Sequence, residues 1–316
     1  MSAAGHLKYL VPNCKKSLMS TAHHSKTIGF RLQKTIACVR HHHTESISLC
    51  LRKRKYFIMN KELLKKENIN YEYIDIQELI SHGGKTVYTG SEGRIVVLND
   101  TLLTDIDNSE DMLRIYPQLP AKDIELACVH NEESALAMIS AGLFSGICRT
   151  HQWVYPHSSF SCNKKSSYSK EDAASSSYSY VCKTSASDAN THKHSDCIIR
   201  TADISELDII SQHSDESLSY LEGRIRSQAM KILYVGNEAA GFIGTHEAGS
   251  VGLLQVFPAF RRHGYARLLE SYMIDQQLRS GHVPFMHVVY ENEASAKLQA
   301  SLGAVKCTRP AIWIFK

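Results

Sequence analysis

A chain of 316 residues with 43% hydrophobic content has the length and the apolar fraction for two folded units. Its formal charge of +4 is unevenly spread: residues 1–58 carry eleven bases against one acid, Glu45, giving +10, so the remainder is net −6. No apolar run approaches the roughly 18 residues of a membrane span, and the nine cysteines include no Cys-x-x-Cys pair, which excludes a spanning helix and leaves buried or free thiols rather than a disulfide scaffold or zinc site.

Residues 1–58 hold His41–His43 and the run Arg52-Lys-Arg-Lys55, with few aromatics and no hydrophobic period, and are expected to be a disordered basic extension. Three readings fit it: an acid-poor mitochondrial presequence, a nucleic-acid or nuclear-import tail, or sequence upstream of a start at Met59, where Asn-Lys-Glu-Leu-Leu-Lys-Lys-Glu opens an acceptable helix. A start at Met59 implies a cytoplasmic protein and a presequence a mitochondrial one. From 59 to 156 the pattern predicts a small α/β unit. Thr86–Thr89 and Arg94–Leu98 flank a Gly-Ser-Glu-Gly turn, Ile124–Val129 is a buried strand, Asn131 starts a helix with an acidic first turn, and Cys148–Tyr155 is an aromatic-rich strand. Residues 157–197 contain 13 serines in 41 positions and read as a linker or surface insertion, where the His192, His194 and Cys197 spacing is not expected to hold metal.

Residues 198–316 are more informative. Lys231–Gly244 is a hairpin about Gly236-Asn237, and Ser250–Val256 is one further strand. That strand runs into Val256-Phe-Pro-Ala-Phe-Arg-Arg-His-Gly-Tyr-Ala-Arg-Leu-Leu269. A helix start offers unpaired N–H groups and a partial positive charge, so a pyrophosphate fits there. Gly264 allows close backbone approach, and Arg261, Arg262 and Arg267 add charge. Val283–Tyr290 is a further strand, and Asn292 to Gly303 a helix with its stop.

With Gly249-Ser-Val-Gly-Leu-Leu254 before this cradle and Asn292-Glu-Ala-Ser-Ala-Lys-Leu-Gln299 after it, residues 198–316 resemble the GNAT superfamily of acyl-CoA-dependent N-acyltransferases. Within it they resemble bacterial-type acetyltransferases related in plan to glycine N-acyltransferases. The resemblance implies an α/β fold with a mixed, splayed central sheet flanked by helices, and a degenerate GNAT-like half in residues 59–156. It implies acetyl-CoA or another acyl-CoA as co-substrate and an amine acceptor, with no metal, nucleic acid or membrane, in a monomer or homodimer. The pantetheine arm would run along Leu254, Gln255 and Val256 and meet Asn292, and Arg261, Arg262, His263, Gly264, Tyr265 and Ala266 would take the pyrophosphate. Gln255 stands where many relatives have a glutamate base, and Gln299 where many have a tyrosine that protonates the thiolate. Glu247 and His287 are the candidate substitutes, with His246, His263 and Tyr290 nearby. Two functions remain open: transfer of a short acyl group to a primary amine, or an acyl-CoA-binding regulator without a working base.

Overall fold

The computed structural model describes residues 70–120, 123–156, 180–182 and 197–316. The basic extension, the helix after Met59, the His192 and His194 spacing and most of the Ser-rich stretch lie outside them. No helix among the described residues is long and apolar enough to cross a membrane.

Local chemistry accounts for the first half. Helix α1 (Ile74–Ser81) leads into the hairpin β1 (Lys85–Gly90) and β2 (Gly93–Leu98), turned at Ser91-Glu92, and then β3 (Thr101–Thr104). Helix α2 (Ser109–Ile115) is capped by Asn108, whose side chain accepts from Asp111 N–H at 3.0 Å. Strand β4 (Leu126–Val129) pairs parallel to β3, and Asn131 caps α3 (Glu132–Ser140) by accepting from Ser134 N–H. Strand β5 (Gly146–Val154) ends this half.

The Ser-rich stretch supplies one short strand, β6 (Tyr180–Cys182), antiparallel to β7 (Cys197–Thr201). Helices α4 (Leu207–Ser211) and α5 (Leu218–Arg226) follow, then the expected hairpin β8 (Met230–Val235) and β9 (Glu238–Thr245), and β10 (Val251–Val256). Helix α6 (Tyr265–Arg279), β11 (Phe285–Val289), α7 (Glu293–Leu302) and β12 (Val305–Phe315) complete the chain. Gly303, at φ 91°, ends α7 in the left-handed region that a side chain disfavours.

Two sheets result, one of seven strands ordered β1-β2-β3-β4-β12-β5-β11 and one of five ordered β10-β9-β8-β7-β6. The order around β12 and β5 is the central feature. Strand β12, from the end of the chain, lies between β4 and β5 of the first half, while β5 lies between β12 and β11 of the second. Each half is thus completed by a strand of the other, and the cores follow. Ile312 and Ile314 of β12, both fully buried, join the core formed by Leu102, Met112 and Met138, whereas Trp153 and Tyr155 join Leu269, Ile274 and Met286. A fully buried isoleucine contributes about 1.5–3 kcal/mol, so neither half can release its guest strand cheaply.

A buried polar pair inside the first half reaches the second through His287, whose Nε2 lies 3.6 Å from Asp75. His130 donates from Nδ1 to the Thr104 carbonyl (2.9 Å) and from Nε2 to Asp75 (3.0 Å), and both side chains are almost wholly buried. Burial alone would push this imidazolium down, but the Asp75 charge and hydrogen bond, with Thr104, hold it above its ordinary value. Burial would likewise raise Asp75, and the His130 charge and hydrogen bond outweigh it and hold the carboxyl low. The four cysteines whose side chains are described, Cys128, Cys148, Cys197 and Cys307, are all buried.

Candidate active site

The sheet is interrupted between β10 and β11: each is the last strand of its own sheet, so they face one another without pairing. A cleft of about 590 Å³ fills the gap. Of the residues singled out in the sequence, Leu254, Gln255, Val256, Arg261, Ala266, Asn292 and His287 line it.

At one end is the phosphate cradle. Arg262 (φ 69°) and Gly264 (φ 83°) are both left-handed, which turns the chain sharply onto α6. The first helical bond here runs from Leu268 N–H to the Gly264 carbonyl at 3.1 Å, so the preceding amides have no acceptor within the helix and face outward with its positive end. An anion is the complement of this arrangement, and the diphosphate of a coenzyme A thioester fits it. His263 is exposed and contacts the Phe260 carbonyl at 3.3 Å. Tyr265 opens the helix with its ring 6.0 Å from that of His263. Two of the arginines expected to add charge here are tethered. Arg261 Nε donates to the Val256 carbonyl, and Arg267 is tied to the Ser301 carbonyl and hydroxyl, where it joins α6 to α7.

Strand β10 is irregular where it lines the cleft. Its register with β9 slips between Gly252 and Gln255, and Leu253 sits at φ 53°, so Leu253 and Leu254 together face the one residue Ile243. Such a bulge frees backbone groups and aims them into the gap. Asn292 serves two ends: its Oδ1 caps α7 by accepting from Ser295 N–H at 3.0 Å, which leaves its two amide hydrogens for the cleft. The Gln255 side chain has no hydrogen-bond partner among the described residues.

The proposed bases fare differently. Trp313 Nε1, which can only donate, bonds His287 Nδ1 at 3.0 Å, so the proton of neutral His287 sits on Nε2 and goes to Gln152 Oε1, also at 3.0 Å. Burial lowers this imidazole to about 4, against an opposing pull from Asp75. With its lone pair taken, His287 holds the cleft wall and is not a free base, which corrects the expectation. Glu247 is exposed and accepts from Asn99 of the β2–β3 turn at 2.9 Å, on the rim of a smaller chamber of about 80 Å³. Tyr290 lies outside the cleft, stacked on His151 with ring centres 4.0 Å apart.

Three residues stand out that sequence reasoning passed over. Glu216 lines both the cleft and the small chamber, and burial, with Asp215 beside it, pushes its carboxyl up to about 7. Tyr220 OH lies 2.8 Å from Nδ1 of His246, which also lines both spaces and which burial, then Arg224, lowers to about 4. His246 is therefore neutral. Glu270, only 3% exposed, lies on α6 one turn beyond Ala266 and faces the cleft, and burial raises it to about 7 against a hydrogen bond from Gln299. Gln299 in turn accepts from Tyr155 OH at 2.6 Å. An acid on the buried stripe of α6 was a readable signal for Glu270. Glu216 sits in a polar loop and left none.

Comparison with known proteins agrees with this layout. Residues 234–314 match the family model described as FR47-like protein. A Drosophila protein of known structure, 15% identical, superposes with a TM-score of 0.54 over 84% of this chain and 95% of its own, so the two-half fold is shared as a whole. A GCN5-related N-acetyltransferase from Kribbella flavida (11% identity, TM-score 0.44) and a tandem GNAT protein from the clavulanic acid biosynthesis pathway (12%, 0.36) each align over 77% of this chain and 93% of theirs. No curated protein sequence matches the chain. The FR47-like match spans the cradle and β11, the strand on the far side of the sheet gap, so the matched stretch is the part of the chain that builds the cleft.

Proposed function

We propose that the protein is an N-acyltransferase that passes an acetyl or other short acyl group from coenzyme A directly to a primary amine. One observation carries this reading: a single cleft joins an anion cradle at one end to a neutral-range carboxyl, Glu216, at the other. The two ends are opposite in charge. Asp100, Glu216 and Glu247 line the small chamber, where no lysine or arginine does, so an ammonium is drawn to the end away from the phosphates.

The residues divide the work. The cradle and Asn292 hold the cofactor, whose thioester carbonyl would lie along the β10 bulge, where freed amides stabilise charge developing on oxygen. Glu216 takes a proton from the ammonium, which frees the lone pair that forms the new C–N bond, and the nitrogen's second proton leaves to water as the tetrahedral centre collapses. The C–S bond breaks as the tetrahedral centre collapses, and a proton must reach the thiolate. Glu270, half protonated near neutrality and buried beside Gln299, lines the cleft and is the source we assign. The regulator reading rested on glutamine at positions 255 and 299, and two cleft carboxyls poised near neutrality favour the enzyme instead. The test is to mix the protein with acetyl-CoA and a panel of amines and follow free thiol. Amine-dependent release is expected, and tight cofactor binding without release would make the protein a regulator.

A further inference from the structure

We propose that Glu78, His82 and His282 form a binding site for one divalent transition-metal ion of the zinc type, on the seam between the two halves. Glu78 and His82 lie one turn apart on α1 and at its end, which puts both on one face. His282 comes from the loop between α6 and β11. Glu78 Oε2 is 2.8 Å from His282 Nδ1, His82 Nδ1 donates to the Glu78 carbonyl at 2.8 Å and so leaves its Nε2 lone pair for a metal, and one ligand atom from each residue lies within 4.8 Å of the others. With metal–ligand bonds of about 2.1 Å, ligand atoms of a tetrahedral site stand about 3.4 Å apart. The observed contacts bracket that separation, so an ion enters with small side-chain shifts. The two imidazoles are already gathered, with ring centres 4.7 Å apart.

The surroundings support these ligands. Val283 N–H donates to Glu78 Oε1 at 2.9 Å and the Ser81 hydroxyl to Oε2 at 3.1 Å, which fixes the carboxylate plane. Glu78 is 9% exposed, whereas His82 and His282 are 29% and 31% exposed, so the carboxylate is anchored inside and the rings face the solvent that would fill the fourth position. Gly249 makes room for His82, because a Cβ there would lie 2.5 Å from the ring. Gln277 Nε2 holds the Gly249 carbonyl at 2.8 Å, and its own Oε1 is buried with no hydrogen-bond partner. The backbone beside the ring is thus held in place even with an acceptor left unpaired. The second cluster with ligand chemistry, Asp75, Cys128 and His130, is sealed from solvent and its members satisfy one another.

Two imidazoles and a carboxylate suit zinc, with cobalt, nickel and copper as competitors, whereas magnesium and calcium prefer oxygen alone. An ion here would pin α1 to the start of β11, and β11 is a wall of the cleft, so occupancy would stiffen the acyl-transfer site. The test is a titration of the metal-free full chain with Zn²⁺ against a chromophoric chelator, repeated with His82→Ala and His282→Ala. Seventeen histidines guarantee weak background sites, so the tightest equivalent is the one read. The wild type should bind it at least tenfold more tightly than either variant, and Zn²⁺ but not Mg²⁺ should raise the thermal midpoint of the wild type alone. Both histidines are partly exposed, so the variants should keep their fold by circular dichroism. Equal tightest affinity in all three proteins, or a wild-type midpoint that Zn²⁺ leaves unmoved, overturns the site.

Discussion

Glu216 and Glu270 have the same elevated carboxyl for different reasons, and this separates their consequences. In Glu216, burial and Asp215 both oppose the charge, and the group faces the chamber where an amine would enter. The rate per unit amine should fall with one proton as pH drops below about 7. Glu216→Gln should flatten that limb and lower the rate by roughly 10² to 10⁴ with unchanged coenzyme A affinity. A wild-type pH profile in this variant would remove Glu216 from the mechanism. Glu270, the proposed thiolate acid, is nearly inaccessible and so also acts on stability. Between its ordinary 4.5 and about 7 the unfolded chain has lost this proton while the folded chain keeps it, so stability falls as pH rises across that window. Glu270→Gln should abolish this slope, worth roughly 3 kcal/mol by the linkage of about 1.36 kcal/mol per pKa unit. Urea unfolding at pH about 5 and about 8 reads it directly.

At the scale of elements, the cradle and the caps were legible because their causes are local. Gly264 and Gly303 are both left-handed, and Asn131 and Asn292 both cap the helices they precede, each fixed by its neighbours within four residues. Gly264→Val should therefore act locally. A Cβ at Gly264 meets nothing within 4 Å, so the loss is the left-handed strain of about 1–2 kcal/mol together with blocked backbone approach to the phosphates. Calorimetry should find coenzyme A binding weakened at least tenfold while the circular dichroism spectrum is retained, and unchanged affinity would move the cradle elsewhere. The bulge in β10 was not legible. Gly252-Leu-Leu-Gln255 reads as ordinary strand, and the slip exists only against the register of β9.

For the molecule as a whole, the exchange of β5 and β12 makes the halves a single cooperative structure. A chain ending before Val305 would leave β4 and β5 without the strand that separates them and would strip Ile312 and Ile314 from the first core. Such a chain, and residues 59–156 alone, should each fail to show a cooperative thermal transition, whereas the intact protein should show one. Two independent transitions in the intact protein would contradict this.

Sequence by itself determined the β8–β9 hairpin, β10, α6, β11 and α7, and the superfamily resemblance, because helix stops, turn glycines and strand alternation act over a few residues; β7, α4, α5 and β12 were not read from it. Only the tertiary structure decided which strands complete which core, that Trp313 takes the lone pair of His287, and that Glu216 reaches the cleft. Those contacts join positions 26 to more than 150 residues apart, and no local pattern encodes which distant neighbour removes the water around a carboxyl or an imidazole.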